Sequence, residues 1–579
     1  MKEFEGEAGL TLRALVVAIL LTIFVSASAA YIAIMISALP WPIILSVIIS
    51  WTLISLVDKL LKKKHTIHEV NVAQAGGSIG GLIAAGVAFT IPAIWYLKEV
   101  YGIAITPPSL FQIILIALAG GILGIALSLP VRRVVIDEEN LPFPSGLAGA
   151  EVLKAAESGG VSAELVLFSL IFAGIFASIK NVFLPPVIVI TVTIFGLIII
   201  FSFIPLLVAI GTGYLIGEKQ SFSWFLGAVI GWAILMPFLQ VMKFLDFVTP
   251  IKNMGMGIVF GAGLAFFFIQ ALPKSTVIFK EFIRLGKRNI IGYMPILASI
   301  FAFVLLLIAR INVVVALLGV LGAWMTSAIA GKTTGETNID PLEQFGLMIS
   351  LAISILFANL GISLDFIQAL LITAFVAIAS AVAGDIGHDY KSAQVIGTRP
   401  IDIALVDLSA SIVGSIVAPI AVFVVINAFY NDIFTKASSL AFQSKLVGEA
   451  LYGFAYPNFF IYGLILGFMG EGILYLLYKS EKKFGMMAFG IGMFLGFALA
   501  IPIVIGALIH HIVMRKIPQN ERKGVLIVSG IMGGEGIVGF LSGLLILMGL
   551  SVINIALVLT AGLLFILAFY LITHKSTQA

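Results

Sequence analysis

The chain has 579 residues, of which 61% are hydrophobic and only 11% charged, with a formal net charge of +4. Soluble domains carry about 25% charged residues, so a soluble protein of this length is excluded for want of polar surface. Cysteine is absent, which rules out disulfides, a thiolate nucleophile and any Cys-ligated metal.

The first apolar run covers 14–30 and ends in "SASAA", but its leader "MKEFEGEAG" is more acidic than basic. That is the wrong flank for a signal peptide, so the run is expected to be retained as the first membrane helix. With it counted as 12–32, further runs follow near 40–58, 72–97, 110–130, 161–180, 186–210, 222–242, 254–273, 291–309, 311–330, 344–361, 365–384, 403–428, 457–478, 485–513, 524–549 and 551–573. Each has the length and composition of a bilayer-crossing helix. Runs this long exclude a barrel, the other architecture that satisfies all backbone hydrogen bonds in lipid. The expected fold is all-α: a polytopic membrane protein forming a single domain over 1–579, with no soluble domain inserted. The longest polar links are 131–160, 274–290, 385–402 and 429–456.

Basic residues gather at Lys59–Lys64, Arg132–Arg133, Lys274–Arg288 and Arg515–Lys523. Such clusters mark cytoplasmic loops rather than nucleic-acid patches. Placing the amino terminus and all of these on the cytoplasmic side requires about sixteen crossings, one fewer than the apolar runs suggest. A broken helix is then expected within 311–384. The same count sets Lys479, Lys482 and Lys483 outside, a conflict within the rule. A weak repeat accompanies it: "LGIALSLP" at 123–130 matches "LGFALAIP" at 495–502, and "SGLAGAE" at 145–151 matches "SGIMGGE" at 529–535. The two suggest duplicated halves near 1–290 and 291–579, a common transporter plan with the site between the halves.

Ionisable residues inside apolar runs need a reason, since a charge at mid-bilayer costs about 2.5–3.5 kcal/mol even on lenient scales. Lys180, Asp246, Arg310, Asp365, His510 and His511 fall at predicted helix ends, where snorkelling suffices. Three polar segments do not explain themselves so easily. In "IDEENLPFPSGLAGAE" (136–151), Pro142 and Pro144 force extended backbone, and Ser145-Gly146 are expected to cap a helix bearing Glu151. In "GKTTGETNIDPLEQFG" (331–346) the P-loop pattern fails, because Thr326 stands where it needs glycine. The segment reads instead as a broken helix rich in hydrogen-bonding groups. In "AGDIGHDYKSAQVIGTRP" (383–400), Asp385 and Asp389 share a helical face with His388 between them, which suits proton coupling. Val382 stands where the Gly-x-Gly-Asp of intramembrane aspartyl proteases needs its first glycine, and HExxH is absent, so no enzyme is expected.

These segments resemble those of the oligopeptide transporter (OPT) family. "NLPFPSG" (140–146), "TNIDPLEQFG" (337–346), "GHDYKSAQVIGTRP" (387–400) and "SGIMGGEGIVG" (529–539) are similar to its signature stretches, and the compact termini resemble the prokaryotic and yellow-stripe-like side. The resemblance implies about sixteen helices and proton-coupled import of oligopeptides or peptide-like metal chelates. On that reading Asn140, Pro142, Pro144, Ser145 and Glu151 form one wall of the substrate cavity, and Glu535 is the second repeat's counterpart of Glu151. Thr337, Asn338 and Asp340 bind substrate amides and carboxylate. Asp385, His388, Asp389 and Lys391 carry the proton. No resident cofactor is expected: the coupling ion is the proton, and a metal enters only with a chelate. The expected partners are a small peptide or chelate and the lipid bilayer, without nucleic acid, and a homo-oligomer is compatible with the sequence. The expected location is the plasma membrane with the amino terminus cytoplasmic. The alternative is a channel or exporter for small polar solutes without proton coupling.

Overall fold

The computed structural model describes residues 5–39, 43–62, 64–157, 162–185, 187–194, 196–273, 290–338, 340, 342–435, 438, 440–478 and 484–578. The first half contains α1 (Leu12–Ile36), α2 (Ile43–Leu61), α3 (Ile67–Ala88), α4 (Ala93–Tyr101), α5 (Leu110–Arg132), α6 (Pro144–Glu157) and α7 (Ser162–Phe183). A hairpin, β1 (Ile188–Ile194) and β2 (Leu197–Phe203), precedes α8 (Leu207–Ala228), α9 (Met236–Val241) and α10 (Thr249–Ala265). Then come α11 (Ile290–Ile308), α12 (Val313–Thr337), α13 (Leu342–Asn359), α14 (Phe366–Ile396), α15 (Pro400–Ala428), α16 (Phe442–Tyr452) and α17 (Pro457–Tyr478). The chain closes with α18 (Met486–Leu495), α19 (Phe497–Lys516), α20 (Glu521–Leu547) and α21 (Val552–Gln578). Among the described residues, twelve helices are long and apolar enough to cross a membrane, and three shorter apolar helices accompany them. The chain is thus an all-α polytopic membrane protein.

Local chemistry sets the ends. Thr66 and Glu69 form a reciprocal capping box at the start of α3, as Ser109 and Gln112 do for α5. Pro92 lacks an N–H and clashes with the turn before it, so the run expected at 72–97 divides into α3 and α4. Pro130 has a milder effect: α5 continues past it and widens into π-helical turns over Arg133–Glu138.

Three expectations are corrected. The run 186–210 is not a helix: its first part pairs antiparallel, Ile188 with Phe203 and Ile194 with Leu197. Val189, Ile190, Thr191, Val192, Thr193 and Ile194 are β-branched, which favours the pleated state. The turn closes at Gly196 (φ 80°), and Gln240 on α9 serves both backbone groups of Ile198, at 2.8 and 2.7 Å. The link 385–402 is largely helical, since α14 continues to Ile396 and α15 starts at Pro400. Lastly, each of the helices α12 to α14 is continuous, and the sharp breaks inside helical runs fall instead at Gly217 within α8 (φ 77°, ψ −179°) and, inside 485–513, at Gly496 (φ 64°, ψ −158°).

That break makes α18 and α19 a re-entrant pair. The Gly485 N–H donates to Ser223 Oγ at 3.1 Å, and His511 Nδ1 lies 2.8 Å from Glu218 Oε1. Both ends therefore meet the sharp turn of α8 around Gly217. Only glycine adopts the Gly496 backbone without strain, and a Cβ there would stand 2.6 Å from the Trp232 ring. Gly496→Val should cost about 1–3 kcal/mol or more. Thermal unfolding in detergent checks this against Gly562→Ala, at a helical position with open space around it.

The face that holds the start of α1 is tied together by polar contacts. Arg13 pairs with Asp58 and Glu69, Lys332 with Glu139 at 2.6 Å, and the Arg522 guanidinium donates to the Glu151 carbonyl at 2.6 Å. The segment ahead of α1 lies across the turn between α14 and α15. The Glu7 N–H donates to Gly397 O at 2.8 Å, the Arg399 N–H to Glu7 O at 3.0 Å, and the Gly9 N–H to Asp402 Oδ2 at 2.8 Å.

Candidate functional site

The first two-thirds of α14 is apolar apart from Gln368, Thr373 and Ser380. Its last part then carries Asp385, His388, Asp389, Tyr390, Lys391 and Ser392, all buried. Burying these groups costs free energy unless each finds a partner, and neighbouring elements supply most of them.

Asp389 faces α3. It accepts from Gln74 Nε2 at 3.0 Å and Ser78 Oγ at 2.7 Å. Asn71 continues the network, with its side-chain oxygen accepting from Ser392 Oγ at 2.9 Å and its nitrogen donating to Thr398 Oγ1 at 3.1 Å. Asn71, Gln74 and Ser78 form one stripe of α3, spaced i, i+3, i+7. Tyr390 turns toward α5, where its hydroxyl lies 3.3 Å from Ser128 Oγ and its ring sits 5.7 Å beneath the Arg132 guanidinium. Arg132 in turn lies 3.1 Å from Asp137. Asp385 faces the other way, beside Thr334 of α12 and Asp340. Asp385 and Asp389 are therefore on adjacent turns but engage different helices.

The segment 140–146 threads between α14 and the end of α12. Lys391 Nζ donates to Asn140 Oδ1 at 2.6 Å. The Phe143 N–H donates to Gly335 O at 3.1 Å, and the Phe143 ring meets His388 edge-on at 5.4 Å. Asn338 Oδ1 accepts both the Ser145 N–H (3.1 Å) and Ser145 Oγ (3.0 Å). Gly146 packs so tightly that a Cβ would lie 2.3 Å from the His388 carbonyl oxygen. Asn140, Phe143 and Asn338 all have positive φ, conformations that cost free energy and persist only where surroundings hold them. Ser145-Gly146 do not cap α6: the helix already begins at Pro144, whose missing N–H suits the first turn, and the Ser145 groups are committed to Asn338.

The structure thus brings together Asn140, Ser145, Asn338, Asp340, Asp385, His388, Asp389 and Lys391. Pro142 and Pro144 shape the same segment and are exposed. Thr337 ends α12, with its side chain outside the described residues. Glu151 is exposed on α6, and it is its backbone carbonyl that holds Arg522. Glu535 lies elsewhere, buried between α7 and α20. It is paired with Lys180 and accepts the Val208 N–H at 2.6 Å. Lys180 is itself buried, so it does not snorkel. The two glutamates of the sequence repeat therefore have unlike surroundings.

Asn71, Gln74, Ser78, Ser128, Arg132 and Tyr390 escaped selection from the sequence, whereas Asp407 counted among its embedded ionisable residues without a role. The signal was the α3 stripe: neutral amides and a hydroxyl recurring at helical spacing in "VNVAQAGGSIGG". The assembled site has closely spaced carboxylates, an imidazole, an ammonium group and side-chain amides. Such groups can exchange protons and hydrogen-bond a polar solute.

A family model described as "OPT oligopeptide transporter protein" matches residues 9–267 and 287–546. The chain is also 23% identical over 575 residues to a protein of Haemophilus influenzae (strain ATCC 51907 / DSM 11121 / KW20 / Rd) named for oligopeptide transport, covering 84% of this chain and 88% of that one. With a match over two stretches that together cover most of its length, the chain belongs to the OPT oligopeptide transporter family.

Proposed function

We propose that the protein is a proton-coupled secondary transporter that imports oligopeptides or peptide-like metal chelates across the plasma membrane. The observation that carries this reading is Asp389, a carboxylate buried within α14, held by Gln74 and Ser78 and adjacent in the helix to His388. Intramembrane acids at such positions serve proton relays in transporters. Asp385, His388, Asp389 and Lys391 move the proton in this scheme, with the Lys391–Asn140 bond opening and closing during the cycle. Asn140, Pro142, Pro144, Ser145, Asn338 and Asp340 supply the substrate wall. The relative's name supports the peptide class. The amino terminus is cytoplasmic in this proposal, supported by Arg13, Arg132, Lys332, Arg399 and Arg522 gathering at the face where α1 begins.

Uptake of a labelled peptide, or of a labelled metal chelate, into proteoliposomes with an alkaline interior tests the scheme. One coupled proton per substrate should raise steady-state accumulation about tenfold for each unit of pH difference, since one unit is 1.36 kcal/mol. Accumulation indifferent to the gradient would remove the coupling, and single-channel currents in planar bilayers would replace the carrier with a channel.

A further inference from the structure

Asp407, on α15, is fully buried, and among the described residues neither of its carboxylate oxygens has a hydrogen-bond partner. The packing fixes its place. Val406 and Ala410 press against Gly76 of α3, between Gln74 and Ser78, while Ser411 lies against Gly121 of α5. Asp407 therefore sits where α3, α5, α14 and α15 meet. Asp389 is the charged group that bears on it, and Asp407 in turn bears on Tyr390. Gln74 spends its nitrogen on Asp389 and Asn71, and its own side-chain oxygen is buried without a partner. Two carboxylates that act on one another and an amide oxygen with no partner among the described residues thus share a region closed to solvent.

The cations nearby are already engaged. On α3, His68 contacts Thr398, and Glu69 binds Arg13 and Thr11. On α5, Arg132 is taken by Asp137 and Tyr390. On α14, Lys391 turns to Asn140, Asp385 faces Asp340, and His388 faces Phe143. On α15, Asp402 holds the backbone of Gly9 and Leu10 and the side chain of Arg399. Two buried carboxylates that bear on one another, with no cation paired to either among the described residues, are costly unless a positive charge joins them. Among the described residues no three His, Asp or Glu side chains converge as for a metal ion. Two carboxylates and one amide suit a singly charged cation instead.

We propose that Asp407, Asp389 and the Gln74 side-chain oxygen form a site for one monovalent cation, either a proton or sodium. The site deepens the carrier reading and rests on it for the claim that this cation drives transport. Binding itself is tested without transport. The purified full-length protein is unfolded thermally across a pH series and across sodium chloride titrated against choline chloride. A cation that binds the folded state raises the unfolding midpoint. The wild type should respond to acid if the site takes a proton, or to sodium chloride if it takes sodium. Asp407→Asn should weaken that dependence at least tenfold in apparent affinity, while Glu157→Gln, at the exposed end of α6, leaves it unchanged. If Asp407→Asn does not fold, Gln74→Met carries the same comparison. A variant that keeps the wild-type cation dependence overturns the proposal, as does a wild type indifferent to both cations. Gradient-independent uptake by a wild type whose midpoint still follows the cation would fell the coupling alone and leave the site standing.

Discussion

Lys180→Met is expected to destabilise the folded protein by about 3–5 kcal/mol, the usual cost of leaving one member of a buried ion pair uncompensated. Glu535 is completely buried on α20, and Lys180 reaches it from α7. The carboxylate also accepts the Val208 N–H, one of the open backbone donors at the start of α8. Removing the ammonium leaves a buried charge with the Tyr31 ring and the Val208 N–H near it and no cation paired to it among the described residues. The double variant Lys180→Met/Glu535→Met should recover most of the loss, because an apolar pair of similar volume avoids both desolvation costs. It should fall short of the wild type by about 1 kcal/mol for the lost bond to Val208. Denaturant unfolding in mixed micelles measures all three proteins. A Lys180→Met protein within about 1 kcal/mol of the wild type would mean the pair is not closed to water.

Asp389→Asn should abolish gradient-driven accumulation while sparing exchange of labelled for unlabelled substrate at equal concentrations. Asparagine keeps one oxygen to accept from Gln74, and its amide nitrogen can donate to Ser78 Oγ, whose hydroxyl turns to the Ala75 carbonyl, so the α3–α14 contact should survive. What is lost is the group that gains and loses charge. With one proton uncoupled, steady-state accumulation should fall about tenfold at a pH difference of one unit. Counterflow and accumulation measured in the same vesicles separate the two effects. Equal loss of both would assign Asp389 to substrate binding or to folding, and unchanged accumulation would release it from the mechanism.

The membrane architecture and the three polar segments were legible because hydrophobic runs and embedded charges announce themselves at the level of composition. What the residues do with one another was not. The hairpin at 188–203 was hidden because its β-branched run is as apolar as a helix, and periodicity alone does not separate the two. The re-entrant pair at Gly496 was hidden because glycine is common in this chain and only the backbone angle distinguishes a hinge from a packing position. The α3 stripe was overlooked because Asn71 and Gln74 carry no charge. Their importance appears only once α14 brings Asp389 against them. Lys180 shows the opposite error: proximity to a helix end suggested snorkelling, while the tertiary fold supplied Glu535 as a partner more than three hundred positions along the chain.

The strap from Glu7 to Leu10 has a practical side. It is joined by backbone bonds to Gly397 and Arg399 and by Asp402 to Gly9 and Leu10, on the short stretch where the acid-bearing helix hands over to its neighbour. A bulky reporter fused ahead of Met1 would hang its weight on that seam and load α14 directly. Handles for purification, imaging or tethering belong at the other end of the chain, after α21, which is anchored on α7 by the Ser178–Thr560 bond and by Leu563 against Gly174 and so does not bear on that seam.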